Sequence, residues 1–379
     1  MTDFDHIIVG AGSAGCAAAY RLSEDPETEV LLLEAGAPDA EHEEEIYTPS
    51  MFPHLFKSDA DWEYYTEPQP EMNDRRLYHP RGKTLGGSSS LNAQIYNRGH
   101  PWDYDNWAEL GNDGWSFEDL LPVFKRGEDF RGTGQEEFHG SGGPLTVTDL
   151  VDPNPATERY VEAAQACGLD HNQDFNGERK TGAGLYHVTQ RDGERCSSAA
   201  AYIKPALDRP NLTVETRAHA AEIRFEGDQA VGVTYHQDGE THTAHASSDI
   251  VVCAGAYNSP QLLMLSGIGP AGHLTDHGIS VRSDLPGVGQ NLQDHLFTFV
   301  VYERTDEEGP APTSNIGEGG GYLYVDENEP APDLQFHFCP VYYMDHGFAN
   351  PDGLGFSIGS TQVRPESVGS VELASADPM

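Results

Sequence analysis

Residues 3–36 read DFDHIIVGAGSAGCAAAYRLSEDPETEVLLLEAG, and this stretch contains a complete strand–helix–strand unit. Ile7, Ile8 and Val9 form a short apolar run, which predicts a buried strand. Gly10-Ala11-Gly12-Ser13-Ala14-Gly15 follows at once and opens an alanine-rich helix running from Cys16 to about Ser23. A second apolar strand, Val30 to Leu33, ends on Glu34. Each glycine has its own physical reason. Gly10 makes the tight turn, Gly12 lets backbone approach a pyrophosphate, and Gly15 lets helix pack on strand. The helix N-terminus then offers free N–H groups and partial positive charge to phosphates. Glu34, with Ala35 beside it, stands where a carboxylate accepts hydrogen bonds from ribose hydroxyls. A glycine-rich turn alone is weak. The whole order of strand, glycines, helix, strand and terminal acid makes a mere structural turn a poor alternative. The acid disfavours NADP, whose 2′-phosphate it would repel, but the motif does not separate NAD from FAD.

Outward from this unit, the 379 residues suffice for two domains or one large discontinuous one. Charge is the unusual feature: 62 acids against 22 bases give −40, and only 5 of the bases are lysine. The acids are spread along the chain instead of forming a tail, which fits a protein adapted to concentrated salt. At about 1 M salt the screening length falls to roughly 3 Å, and carboxylate self-repulsion is largely removed. Nucleic-acid binding is disfavoured, because phosphate contacts need a basic face. Cys16, Cys167, Cys196, Cys253 and Cys339 are odd in number and widely spaced. They read as buried small residues in a reducing compartment, not as a disulfide frame or a zinc site. No apolar run approaches the roughly 18 residues of a membrane span, and a strand begins too early for a secretory leader. A soluble, cytoplasmic protein in a high-salt cytoplasm is expected, with no metal.

Two further stretches narrow the reading. RGKTLGGSSSLNAQIYNRGHPWDYDNW, residues 81–107, places glycines and three serines where backbone can pass close to a flat or charged ligand. GAYNSPQLLMLSGIG, residues 255–269, follows the apolar strand 250–253. Its Ser-Pro pair predicts a helix start, with Leu262, Leu263 and Leu265 on the apolar face. With the N-terminal motif, these stretches resemble the glucose–methanol–choline (GMC) oxidoreductases, FAD-dependent enzymes that oxidise alcohols. NLTVETRAHAAEIRFEGDQAVGVTY, LPGVGQNLQDH and DLQFHFCPVYY are similar to the choline-dehydrogenase branch, so the resemblance runs from about Phe4 to Pro378.

The resemblance implies an α/β fold: a Rossmann-like FAD-binding domain at 1–149 and 194–298, with a discontinuous antiparallel-sheet substrate domain (α+β) at 150–193 and 299–379. It implies that Gly10, Gly12, Ser13, Ala14 and Gly15 hold the FAD pyrophosphate and that Glu34 and Ala35 meet the adenosine ribose. Leu85, Gly86, Gly87, Ser88 and Ser89 would run past the pyrophosphate toward the flavin, with Asn92 and Ala93 near its ring. Ala220 aligns where a valine backbone usually meets adenine. Some members attach FAD covalently through a His just before the Asn. Leu91 stands there, which implies non-covalent FAD. Glu318 takes the place of an acid near the trimethylammonium group of choline, with Tyr322, Phe336, Phe338, Tyr342 and Tyr343 as aromatic neighbours. His295 reads as structural, and His242 and His245 as positions on a surface strand. The expected substrate is choline or another primary alcohol. The electron acceptor is open, and the sheet's open edge admits burial against another chain.

The last residues, SVGSVELASADPM at 367–379, read as a strand over Ser370 to Ala374 in the middle of a domain. In the family, the base and alkoxide stabiliser, a His with a second His or Asn, lie beyond this strand, and that pair is absent here. The substrate domain is therefore expected to be C-terminally incomplete. Val368 also replaces the arginine of the family's Pro-x-Ser-Arg-Gly. Three functions fit: the cofactor-binding piece of an alcohol dehydrogenase, a flavin-binding module without turnover, or a non-redox activity such as that of the hydroxynitrile lyases.

Overall fold

A computed structural model describes residues 3–305, 309–349 and 351–379. Strand β1 (Asp3–Val9), helix α1 (Ser13–Leu22) and strand β2 (Val30–Leu33) form the expected unit, the helix beginning three residues earlier than the alanine run suggests. The strands are parallel, with Ile7 opposite Leu31. Leu212–Glu215 extends the parallel set beyond β2. On the other side β1 pairs with the second half of the long strand Glu240–Val252, Ile7 opposite Ile250. The first half of that strand folds back on Gln229–Gln237, which pairs with His219–Glu226. The result is a six-stranded sheet, four strands parallel and then an antiparallel meander. Strands buried on both faces, such as Val-Leu-Leu-Leu at 30–33, show the continuous apolar run that a parallel sheet requires.

A second sheet of five antiparallel strands runs in the order Phe297–Arg304, Leu354–Gln362, Leu334–Cys339, Gly319–Leu323 and Gly182–Leu185. Helix Pro155–Ala166 covers one face: Tyr160 stacks on Phe338, which stacks on Phe356. The strands of the first sheet fall within 1–149 and 194–298. Those of the second fall within 150–193 and 299–379, apart from two residues at the start of 297–304. Between the sheets, residues 41–83 hold short helical turns and two-residue strands around Phe52, Phe56 and Tyr78.

Three sequence expectations are corrected. Ser370–Ala374 is not a strand: Gly369 exchanges both backbone hydrogen bonds with Leu292, Val371 N–H donates to Gly289 O, and Leu373 is buried with Met264 and Leu274. The segment is extended but lies against a loop instead of joining a ladder. The helix expected from Ser259 begins at Gly255, so Pro260 lies inside it. Cys167 is exposed at the end of helix 155–166, whereas Cys16, Cys196 and Cys339 are buried.

A buried charge network joins segments far apart in sequence. Arg98 Nη2 donates to Glu128 Oε1 at 2.7 Å, and His139 lies 3.3 Å from that carboxylate and 3.1 Å from Asp174. His187 bridges toward Asp149 and Asp174 at 3.4 and 3.9 Å. Burial raises the Asp174 pKa, but its bond to His139 and backbone N–H donors outweigh this and hold it at about 2. The bond to His187 likewise holds Asp149 at about 2. Burial opposes charge on His139, yet Asp174 and Glu128 raise its pKa above 6.5. The signs define a pH window. The aspartates contribute stability above the ordinary carboxylate pKa and lose it as pH falls through about 2. His139 contributes fully below 6.5 and loses its contribution as pH rises through its folded value. Melting temperature against pH should therefore fall on both sides of a plateau between about pH 4 and 6.5. Replacing His139 by Gln should flatten the alkaline side.

Candidate functional site

The three central parallel strands end together, and a cleft of about 490 Å3 opens where they end. Val9, Leu33 and Val252 are the strand ends on its floor, at the edge where open α/β sheets bind ligands. Gly10, Gly12, Ser13, Ala14, Glu34, Ala35, Gly87, Ser88 and Ala220 line it, together with Trp62, Arg81, Ala218 and His219. Helix 255–265 supplies another wall through Tyr257, Asn258, Gln261 and Leu262.

The glycines divide into two kinds. Gly10 has a φ of +96°, and a Cβ there would lie 2.6 Å from Cys253 O; at Gly15 a Cβ would lie 1.9 Å from Gly10 O. Both positions are closed by the fold itself. Gly12 has an ordinary φ of −78°, and a Cβ there would meet nothing within 4 Å. No side chain caps helix α1, and no acid stands in its first turn, so its N–H groups remain open. Gly86 N–H donates to Ala11 O, and a Cβ on Gly87 would lie 2.7 Å from the Gly12 Cα. The two glycine-rich segments thus touch backbone to backbone at the cleft.

Glu34 is buried at the end of β2. Its oxygens accept the N–H groups of Ala11 and Gly36, both at 2.9 Å, joining the glycine turn to the strand end. Burial raises its pKa to about 7 against the lowering effect of those donors. Trp62 packs edge-on to His219, 5.7 Å between ring centroids, and Lys83 lies over the indole.

The remaining candidates lie outside the cleft wall. Leu85 is buried with Ile8 and Ala199. The Ser89 hydroxyl donates to Gly86 O and accepts Ser198 N–H, so it braces the loop. Asn92 is exposed at its backbone turn, and its Oδ1 accepts Arg195 Nη1 at 2.8 Å. Ala93 packs against the buried cluster of Phe52, Ile316 and Cys339. Leu91 is buried with Ile46, Leu55 and Ala60 and has no nucleophilic atom. Among the described residues, no three His, Cys, Asp or Glu side chains converge as a metal site would require. Among them, too, no helix is long and apolar enough to cross a membrane.

Glu318 needs correction as a substrate acid. It is fully buried, and its carboxylate accepts Asn154 N–H at 2.8 Å, the Thr157 hydroxyl at 2.6 Å and the Ser314 hydroxyl. It anchors the start of helix 155–166 and is turned away from any open space. Phe338 is likewise committed to the helix side.

Sequence reasoning passed over two residues. Arg195 is fully buried and donates to Ile46 O, Ser89 O and Asn92 O, fixing the turn that presents Asn92. Its partners lie some 100 or more positions away, so no local pattern reveals it. His337 stands between Phe336 and Phe338, and strand alternation turns it to the other face, beside Tyr186 and Phe297. Period-two counting from Phe338 could have found it.

Residues 4–297 match the GMC oxidoreductase family. The chain belongs to that family. It is 41% identical to an alcohol dehydrogenase [acceptor] of Pseudomonas putida over 99% of this chain and 72% of the relative. It is also 41% identical to an oxygen-dependent choline dehydrogenase of Brucella anthropi, again over 99% and 72%. Among solved structures, pyridoxine 4-oxidase from Mesorbium loti superposes with a TM-score of 0.88 at 33% identity, covering 99% of this chain and 74% of that one. A formate oxidase variant of Aspergillus oryzae, described for its FAD modification, gives 0.91 at 28%, covering 100% and 76%. The GMC chain is thus an FAD-dependent oxidoreductase by family, and it spans about three-quarters of the length of these relatives.

Proposed function

We propose that the cleft holds FAD non-covalently and that this GMC chain serves the oxidation of a primary alcohol at CH–OH. The supporting observation is the facing of Gly12 and Gly87 beside the uncapped N-terminus of α1, with Glu34 buried next to them. These residues fit the cofactor. Open space at Gly12 and free N–H groups suit a pyrophosphate, and Glu34 retains lone pairs for ribose hydroxyls. Ser13, Ala14 and Ser88 would flank the phosphates, Ala35 the ribose and the Ala220 backbone the adenine. Leu85, Gly86 and Ser89 would shape the passage toward the ring, and Asn92 and Ala93 would border it. FAD, when bound, supplies a hydride acceptor at N5 for the carbinol carbon. This chain's part is to bind it, exclude water from its face and orient the alcohol. The two-sheet division supports a cofactor domain at 1–149 and 194–298 and a substrate domain at 150–193 and 299–379.

The test is the visible spectrum of the chain purified in concentrated KCl, before and after anaerobic addition of a primary alcohol. A flavin band that bleaches supports hydride transfer by these 379 residues. A band that persists supports a cofactor-binding part that needs the family's His/His or His/Asn pair from elsewhere. Absence of any band overturns the reading. Replacing Glu34 by Ala should weaken FAD binding about tenfold or more, the effect of losing a charge-assisted hydrogen bond worth roughly 1.5–3 kcal/mol.

The acid excess supports a further part of the reading, adaptation to a salt-rich cytoplasm. Exposed like charges repel most strongly where salt does not screen them. Raising KCl from about 0.1 M to about 3 M, which shortens the screening length below roughly 3 Å, should raise the melting temperature by ten degrees or so. An unchanged or lowered value would remove the salt-adaptation reading.

A further inference from the structure

The face of the five-stranded sheet opposite helix 155–166 carries a group of rings that the cofactor reading does not use. Phe297 and Phe299 approach to 4.1 Å between centroids, Phe297 meets His337 edge-on at 5.1 Å, and Phe299 lies 5.3 Å from Tyr343. Gly359 is the seat of the group. It pairs with Phe299 on one side and His337 on the other, and a Cβ there would lie 2.1 Å from Phe297 Cε2 and 2.9 Å from Phe299 Cε1. Both phenyl rings are thus folded across the glycine onto the sheet. Phe297 nonetheless stays 40% exposed, so the group is open on its outer side.

Its position links it to the cofactor site. Cys339, two residues after His337 on the same strand face, belongs to a buried cluster against which both Tyr343 and Ala93 pack, and Ala93 follows the turn held by Arg195. On the other flank, the loop residue Asp294 lies 3.6 Å from His79, whose ring bonds to the hydroxyl of Tyr257 in the cleft wall. The His337 ring makes no hydrogen bond among the described residues. Burial lowers its pKa to about 4, with nearby His295 adding to the effect, so the ring is neutral with its nitrogens unpartnered.

We propose that Phe297, Phe299, Tyr343 and His337 form the subsite for the alcohol and select an uncharged, apolar primary alcohol over a quaternary ammonium alcohol. A neutral imidazole nitrogen accepts the alcohol O–H, while the rings cover an apolar substituent. Rings also attract a quaternary ammonium, but removing that charge from water needs a nearby counter-charge. Glu318 cannot supply it, being buried under three intrachain donors, and Asp294 is directed at His79. A substituent that is apolar and neutral gains the same rings without that desolvation.

This inference rests on the alcohol-oxidising reading, and the experiment separates the two. The chain, labelled with 15N in its histidine rings and held in concentrated KCl to suppress non-specific cation binding, is examined first for the flavin band. Benzyl alcohol and choline are then titrated while the His337 ring signal is followed, assigned by its loss in H337Q. Benzyl alcohol is expected to shift that signal with a Kd at least tenfold below that of choline. F299A and, if that variant unfolds, G359A should weaken benzyl alcohol at least fivefold. Choline binding as tightly as benzyl alcohol overturns the selectivity, and an unmoved His337 signal overturns the subsite. A His337 response without a flavin band would sink the flavoprotein reading alone, since the ring signal does not depend on FAD. A flavin band with no response would sink the subsite alone.

Discussion

Gly12→Val should leave the apo chain folded within about 1 kcal/mol of the parent and reduce FAD affinity at least about 100-fold. The two halves of this result come from different parts of the geometry. Gly12 has φ −78°, which any residue adopts, and a Cβ there meets no atom within 4 Å. Nothing in the protein's own packing requires glycine at this position. The space that a side chain would enter is the space in front of the α1 N-terminus, where a pyrophosphate must lie to reach the open N–H groups. Displacing it would break two charge-assisted hydrogen bonds or more, each worth roughly 1.5–3 kcal/mol, and about 2.7 kcal/mol is already 100-fold. Gly15→Ala provides the contrast. Its Cβ would fall 1.9 Å from Gly10 O, so the helix must move off the turn, and stability and FAD binding should fall together. Calorimetry on apo protein, paired with FAD titration of both variants, separates a glycine kept for the ligand from one kept for the fold. Loss of folding in both would mean that the Gly12 space belongs to the protein's own packing.

What the sequence could show follows the range of the forces involved. The first forty residues were readable because strand, turn and helix are set by neighbours, and the purpose of each glycine follows from a local geometry. The structure distinguishes those purposes position by position. Helix 255–265 was found but begun too late, because Ser-Pro is a strong local start signal and Gly255, Tyr257 and Asn258 before it are weaker helix formers. At 370–374 the alternation was real, yet a strand exists only with a ladder partner, and the segment binds the 289–292 loop instead. Glu318 shows the limit most plainly. Its identity suited a cation, but its donors come from residues 154, 157 and 314, so its burial was set by tertiary packing that no spacing records. The same holds for Arg195 and for the network around Arg98, whose partners are distant in sequence.

That network carries the second large effect: Arg98→Met should destabilise the protein by about 3–5 kcal/mol, whereas Arg98→Met combined with Glu128→Met should recover part of the loss. The side chains of Arg98 and Glu128 are 4% and 1% exposed. Removing the guanidinium leaves a carboxylate far from water, supported by the Gly140 N–H, by nearby His139 and by the Tyr96 hydroxyl. Because His139 is already raised toward its charged form, it offsets part of the penalty, and the lower end of the range is expected. In the double variant the buried charge disappears, and what remains unpaired is the Gly140 N–H and the Phe138 carbonyl, about 1–3 kcal/mol each if wholly unsatisfied. The pH dependence identifies the cause. Glu128 titrates below its ordinary value in the parent, held there by His139 and Arg98 against burial. Without Arg98 its folded pKa rises, so the variant binds a proton more readily when folded and its deficit relative to the parent shrinks as pH falls through the carboxylate range. A deficit that stays constant from neutral pH down to about pH 4 would assign the loss to the guanidinium's contacts with the Tyr96 and Phe124 rings instead of to the stranded charge.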